Sequence, residues 1–274
     1  MSLFSHSSSL AQSPIVNVGM FKSGETSFAA QMRRLGYSVL KGPLWAEKGL
    51  LIDNDYLFPE QWNTTSNRRA LAHALKKPCP GGGTSRSCQA FTDYPWMWAF
   101  PFVEELLPDA RYVMTLRGCT SLANSTLRVA AVRRLQRFLQ RPRSQQTAAA
   151  VAEMNRLTRQ RCTEVVLRCR RHMMLVASFF AASEDRRQRL LLLDLRSPKA
   201  LASLCLFLRQ PCPRNESFAH ANRSPKAPNA SDMASQVQTG CLDSGSEPKA
   251  AEHIHTWAQA PNGSIQWALA PYLA

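Results

Sequence analysis

The sequence lacks the features of a helical membrane protein. No apolar stretch approaches the roughly 20 residues that span a bilayer. Clusters such as Leu190–Leu193 and Met173–Ala177 are far too short. The eight cysteines (79, 88, 119, 162, 169, 205, 212 and 241) form no C-x-x-C pair, and no histidine pair completes a zinc spacing, so no metal site is expected. A chain of 274 residues is long enough to build a core without disulfide staples, which makes free buried thiols the expectation. The opening MSLFSHSSSLAQSP has neither the charged nor the apolar region of a signal peptide. A cytoplasmic protein is therefore expected, with the secretory lumen as the alternative if the amino terminus is incomplete. Six Asn-x-Ser/Thr sequons, at Asn63, Asn124, Asn215, Asn222, Asn229 and Asn262, stand against that expectation and are read as chance in a Ser-rich chain. No internal repeat is visible.

Lysine is missing from a long central block. Between Arg111 and Leu190 there are 17 Arg, no Lys and 4 acids, so this block carries 17 − 4 = +13 of the net +15. Such a charge suits a phosphate-bearing ligand or another polyanion. Arg-rich codon usage would give the same count. No nucleic-acid-binding motif accompanies the arginines, so nucleic acid is not the expected partner.

Apolar residues make up 45% of the chain, enough for a packed core. Ile15–Val18 reads as a buried strand closed by Gly19. A helix from about Thr26 follows, with Phe28, Met32 and Leu35 on one face, and Gly36 stops it. Tyr37–Leu40 is a second strand, so the opening is a βαβ unit and implies a parallel sheet. Further on, Arg68–Leu75 reads as a helix and Pro78–Ser87 as a loop. Cys88–Phe91 reads as a strand ending at Asp93, Trp96–Leu107 as an amphipathic helix and Tyr112–Leu116 as a strand. Leu127–Arg141 is expected to be helical, with an arginine stripe at 134, 137 and 141. A long helix over Ala148–Ala181 presents Val166, Cys169, Met173, Val176 and Phe180 as a core stripe. Leu190–Leu195 is a strand and Pro198–Leu208 a helix on it. Residues 1–13 read as a flexible terminus, 14–222 as one domain and 223–274 as a low-complexity, disordered tail.

Chemistry concentrates in Val16-Asn-Val-Gly-Met-Phe-Lys-Ser-Gly-Glu-Thr-Ser-Phe28, between a strand and a helix start. Backbone N–H groups and the helix dipole bind phosphate at such a place. Gly24 allows close approach, Thr26 and Ser27 add hydroxyls and Lys22 adds a charge. The nucleotide-triphosphatase loop G-x-x-x-x-G-K-S/T matches at Gly19, Gly24 and Thr26. Its lysine position, however, holds Glu25, which would repel β- and γ-phosphates.

Lys22-Ser-Gly-Glu-Thr-Ser-Phe28 resembles the K-S/T-G-T-T-S-L loop of sulfotransferases that use 3′-phosphoadenosine 5′-phosphosulfate (PAPS), with Glu25 where that family usually has Thr. Val113-Met-Thr-Leu-Arg-Gly-Cys-Thr-Ser-Leu-Ala-Asn-Ser125 resembles the family's 3′-phosphate motif, although Gly118-Cys119 replaces the usual Asp/Asn-Pro. Leu35-Gly-Tyr-Ser-Val39, Pro108-Asp-Ala-Arg-Tyr-Val-Met-Thr-Leu-Arg117, Leu191-Leu-Leu-Asp-Leu195, Leu204-Cys-Leu-Phe-Leu208 and Phe218-Ala-His-Ala-Asn222 resemble further segments of it. The resemblance implies a three-layer α/β/α fold with a central parallel sheet, P-loop sulfotransferase-like. It also implies PAPS as co-substrate and a hydroxyl-bearing acceptor, a carbohydrate or small alcohol.

Under that resemblance Lys22 neutralises the leaving group. Ser23, Gly24, Thr26 and Ser27 cradle the 5′-phosphate, and Arg117 and Ser125 hold the 3′-phosphate. Asp93, at a strand end, is the candidate base, with a helix N-cap as its alternative role. His172 is a second candidate, read instead as a solvated residue on an Arg-rich face. Tyr94, Trp96 and Trp98 suit either acceptor stacking or the core. The stripe at 134, 137 and 141 suits an anionic glycan or a solvated face. The competing readings are a catalytically inactive relative, motivated by Glu25, an Arg-driven polyanion binder and a nucleotide kinase.

Overall fold

Ile15, Val16 and Asn17 are all buried and form β1 (Ile15–Asn17), which has parallel neighbours on both sides. A strand covered on both edges and both faces can carry a continuous buried run, as here. The computed structural model describes residues 13–41, 65–76, 78–79, 87–127, 138, 140, 142–145, 147–213, 216–218 and 241.

Helix α1 (Glu25–Arg34) follows β1. It ends in a Schellman arrangement: Gly36 N–H donates to the Arg33 carbonyl and Tyr37 N–H to that of Met32, both at 3.0 Å. Then come β2 (Val39–Lys41), α2 (Thr65–Lys76), β3 (Ala90–Thr92), α3 (Trp96–Leu106) and β4 (Arg111–Leu116). A helix over residues 119–127, here α4, precedes α5 (Ala148–Ala181), α6 (Glu184–Gln188), β5 (Leu190–Asp194) and α7 (Ala200–Leu208). The five strands run in the order β2-β3-β1-β4-β5 in a parallel sheet, which with its helices gives the expected α/β/α class.

The chain divides into two compact units. One comprises residues 1–18 and 29–113, the other residues 19–28 and 114–274. In the first, β2, β3, β1 and the start of β4 pair in register, with Val16 beside Phe91 and Tyr112. Here α3 packs on β1 and β3. Trp96, Met97, Trp98, Ala99, Phe100 and Val103 are all buried, so α3 is apolar over most of its surface rather than along one stripe. In the second unit α7 packs on β5, all five residues of which are buried. The stripe on α5 buries Cys169, Met173, Val176 and Phe180, with Val166 half-buried.

Three expectations are corrected. His172 is buried on α5, not solvated, because its position one residue before Met173 faces the core side. The helix expected to start at Leu127 is under way by residue 119. The arginine stripe at 134, 137 and 141 lies outside the described residues. The largest correction concerns cysteine. All eight pair, as Cys79–Cys88, Cys119–Cys169, Cys162–Cys241 and Cys205–Cys212. Length argues only that staples are unnecessary, and it does not forbid them. The expected disordered tail lies outside the described residues except for Cys241. That residue is bonded to Cys162 on α5, and its N–H donates to the Asn124 side-chain oxygen.

Denatured, unreduced protein is therefore expected to show no titratable thiol, and eight after reduction. Replacing both Cys119 and Cys169 with Ala, which opens a 50-residue loop, is expected to cost about 4 kcal/mol in chemical denaturation.

Candidate active site

The second unit contains the whole loop from Gly19 to Phe28 together with the end of β4 and α4. Gly19 is dictated by space. A Cβ there would lie 2.0 Å from Thr115 Oγ1 and 2.8 Å from the Thr115 backbone nitrogen. The Met20 carbonyl accepts the Ser23 N–H at 3.0 Å and the Ser23 hydroxyl as well. That hydroxyl also lies 2.7 Å from Thr115 Oγ1. Ser23 is buried, and its polar atoms shape the loop. Gly24 has φ 117°, and a Cβ on it would meet Leu195 Cδ1 at 2.3 Å, so both conformation and room demand glycine. Its carbonyl accepts the Phe28 N–H at 2.8 Å, which makes it the N-cap of α1. Thr26 and Ser27 follow in the first helical turn, half-buried and buried.

Glu25 occupies the first position of α1. Its Oε2 accepts the Gly24 N–H at 3.2 Å, and the residue is only 9% exposed. An anionic group is thus already bonded to one donor of the loop. This is the local electrostatics expected at a helix N-terminus, where negative charge is favoured.

Arg117 begins the connection from β4 to α4. Its Nε donates to Ser121 Oγ at 2.8 Å and its Nη1 to the Lys22 carbonyl at 3.2 Å. The structure therefore brings together the two segments that sequence spacing nominated separately, Lys22–Ser27 and Arg117. Ser125 lies on α4, half-buried, one turn beyond Ser121. At the end of β5, the buried Asp194 carboxylate grips Arg196 through Nε at 3.1 Å and Nη2 at 2.9 Å.

Asp93 belongs to the first unit. It follows β3 and is half-buried, and its Oδ1 accepts the Tyr94 N–H at 2.9 Å. Its carbonyl accepts the Trp96 N–H at 3.0 Å. The N-cap of α3 is Pro95, without a side-chain bond, so Asp93 does not cap that helix. Tyr94, Trp96 and Trp98 are buried, and Phe91 and Trp96 pack with ring centroids 4.6 Å apart, which makes these aromatics core residues.

Among the described residues, three that are not glycine have positive φ: Lys22 (63°), Asp93 (76°) and Arg209 (55°). Arg209 is the C-cap of α7, a normal place for left-handed backbone. Lys22 and Asp93 have no such excuse, and strained backbone of this kind clusters at functional sites. No group of three His, Cys, Asp or Glu among the described residues could hold a metal ion.

Sequence reasoning missed Thr115, Ser121 and Leu195. Thr115 and Ser121 stood within the quoted motif, but only as spacers. Leu195 stood at the end of the Leu191–Leu195 segment, but nothing there signalled its packing against Gly24.

A strand-loop-helix with hydroxyls and a lysine, tied to an arginine at a neighbouring strand end, is an arrangement suited to an anionic nucleotide. The sulfotransferase-domain family model matches residues 14–227, and the chain belongs to that family. No curated protein matches the chain.

Gly19→Ala is expected to cost about 1–3 kcal/mol of stability, because Thr115 backbone cannot yield to the new methyl group. A denaturant midpoint equal to that of the parent protein would contradict the packing described here.

Proposed function

We propose that the protein transfers a sulfuryl group from PAPS to an acceptor hydroxyl. The observation that carries this reading is the Arg117–Lys22 hydrogen bond, which joins two nucleotide-binding motifs 95 residues apart in sequence. The co-substrate supplies the sulfuryl group. In the proposed reaction the acceptor oxygen attacks sulfur in line, the bond from sulfur to the 5′-phosphate oxygen breaks and adenosine 3′,5′-bisphosphate departs. Lys22 neutralises charge on the departing oxygen, at a position where its backbone is already held in the left-handed region. Gly24, Thr26 and Ser27 receive the 5′-phosphate, and Ser23 serves by fixing the loop. Arg117 and Ser125 receive the 3′-phosphate, a planar fork and a hydroxyl suited to an anion. Asp93 accepts the acceptor's proton. It follows the carboxyl end of β3, and ligands of open α/β sheets bind beyond such ends.

The acceptor is a carbohydrate or small alcohol. The pairing of every cysteine supports work in an oxidising compartment, the secretory alternative, where sequons would also be used.

One observation favours a second reading, a sulfotransferase-like protein that does not transfer. The Glu25 carboxylate holds the Gly24 N–H that a phosphate would take. The two readings separate by experiment. At 100 times its dissociation constant, adenosine 3′,5′-bisphosphate is expected to raise the melting temperature by about 5–10 °C, with ATP inert. Lys22→Ala or Arg117→Ala should weaken binding about 10- to 100-fold. Loss of the shift in the parent protein at millimolar ligand would reject the enzyme reading. Glu25→Thr removes a like charge near the phosphate and is expected to tighten binding about tenfold in titration calorimetry. Sulfate transfer by this variant alone would establish the inactive reading for the natural chain.

A further inference from the structure

We propose that Ser121 is the positioning residue for Arg117, and that through Arg117 it sets the preference for a nucleotide bearing a 3′-phosphate. The inference rests on the assignment of Arg117 to that phosphate. An arginine recognises a phosphate by the plane of its fork, so its usefulness depends on what fixes that plane. Two bonds contribute to fixing it here. Nε donates to Ser121 Oγ at 2.8 Å and Nη1 donates to the Lys22 carbonyl at 3.2 Å. The second bond ties the fork to the loop, and the first ties it to α4.

The Ser121 bond is the shorter of the two. Ser121 is 6% exposed, so water competes little for its oxygen. Ser121 also stands four residues before Ser125, which puts both hydroxyls on one face of α4, one turn apart. A single helix therefore carries the group that aims Arg117 and the hydroxyl assigned to the same phosphate. The helix is itself anchored. Cys119, its first residue, is bonded to Cys169 on α5, and both are fully buried. The aim of Arg117 is thus referred to α5 through a covalent link two residues after the arginine. Sequence spacing marks Ser125 and passes over Ser121, because the hydroxyl in question touches the protein and not the ligand.

The test is titration calorimetry of the full, oxidised chain with adenosine 3′,5′-bisphosphate and with adenosine 5′-monophosphate. The ratio of the two affinities measures recognition of the 3′-phosphate. Ser121→Ala is expected to weaken the bisphosphate about tenfold while changing the monophosphate less than about twofold. Ser121→Thr keeps the hydroxyl and is expected to restore most of the ratio. Should the alanine variant not fold, Ser121→Cys, of similar size and with a poor acceptor, is read in the same way. Equal loss for both nucleotides, or a ratio unchanged in the alanine variant, overturns the inference and leaves the proposed function standing. A parent protein that binds neither nucleotide overturns both.

Discussion

The loop after β1 holds its shape because Thr115 lies against it with no room for one more carbon. Gly19 exists to permit that approach, and Ser23 exploits it, with its hydroxyl set against Thr115 Oγ1 at 2.7 Å. Two residues further on, just past the end of β4, Arg117 reaches the carbonyl of Lys22. The contacts at Thr115 and Arg117 therefore define the loop's conformation from outside it. Leu195 closes the other side against Gly24. The left-handed turn at Lys22 and Gly24 persists because these neighbours leave the backbone nowhere else to go, which is how strained backbone is maintained generally.

That arrangement explains what could be read in the sequence. Features that follow from local rules were legible. The apolar run at β1, the Schellman stop at Gly36, the spacing of α5 and the strand leading to Arg117 all follow from periodicity or from the special conformations of glycine. Candidate donors could be nominated from the sequence too, since only a few side chains suit an anion. Positions defined by distant neighbours were not. Nothing about Ser23 reveals that its hydroxyl turns inward to Thr115, 92 residues away. Nothing about Ser121 reveals that it serves an arginine. The cysteines failed for a related reason. Their pairs lie 7, 9, 50 and 79 residues apart, with no shared spacing to recognise.

The arginine excess gains definition in the structure. Three of the four acids in the central block are spent locally, Glu153 on Arg156, Glu184 on Arg187 and Asp185 on Arg189. These are exposed or half-exposed helical pairs of small energetic weight. The block's +13 is already net of these acids, and a charge of that size attracts anions at long range. Attraction of that kind raises encounter rates but is indifferent to which anion arrives. Selection must come from short contacts, and the proposed function assigns those to Gly24, Lys22 and Arg117.

Glu25 is where attraction and selection meet. A carboxylate at the first turn of α1 stabilises the empty loop by bonding the Gly24 N–H and by complementing the helix dipole. The same carboxylate opposes any phosphate that seeks the same donor. Whether it weakens a ligand modestly or excludes it depends on its freedom to turn away, and its 9% exposure shows how little solvent reaches it. A buried carboxylate beside a phosphate costs far more than one rotated into water, because unscreened like charges repel strongly at contact distance. The loop is thus a competition between an internal anion, covalently present at high effective concentration, and an external one that brings more charge and meets Arg117 as well as the loop. Under the proposed function, a ligand that engages Arg117 as well as the loop would have more binding energy with which to displace the carboxylate. On that same proposal, Glu25 would favour nucleotides with phosphate at two places.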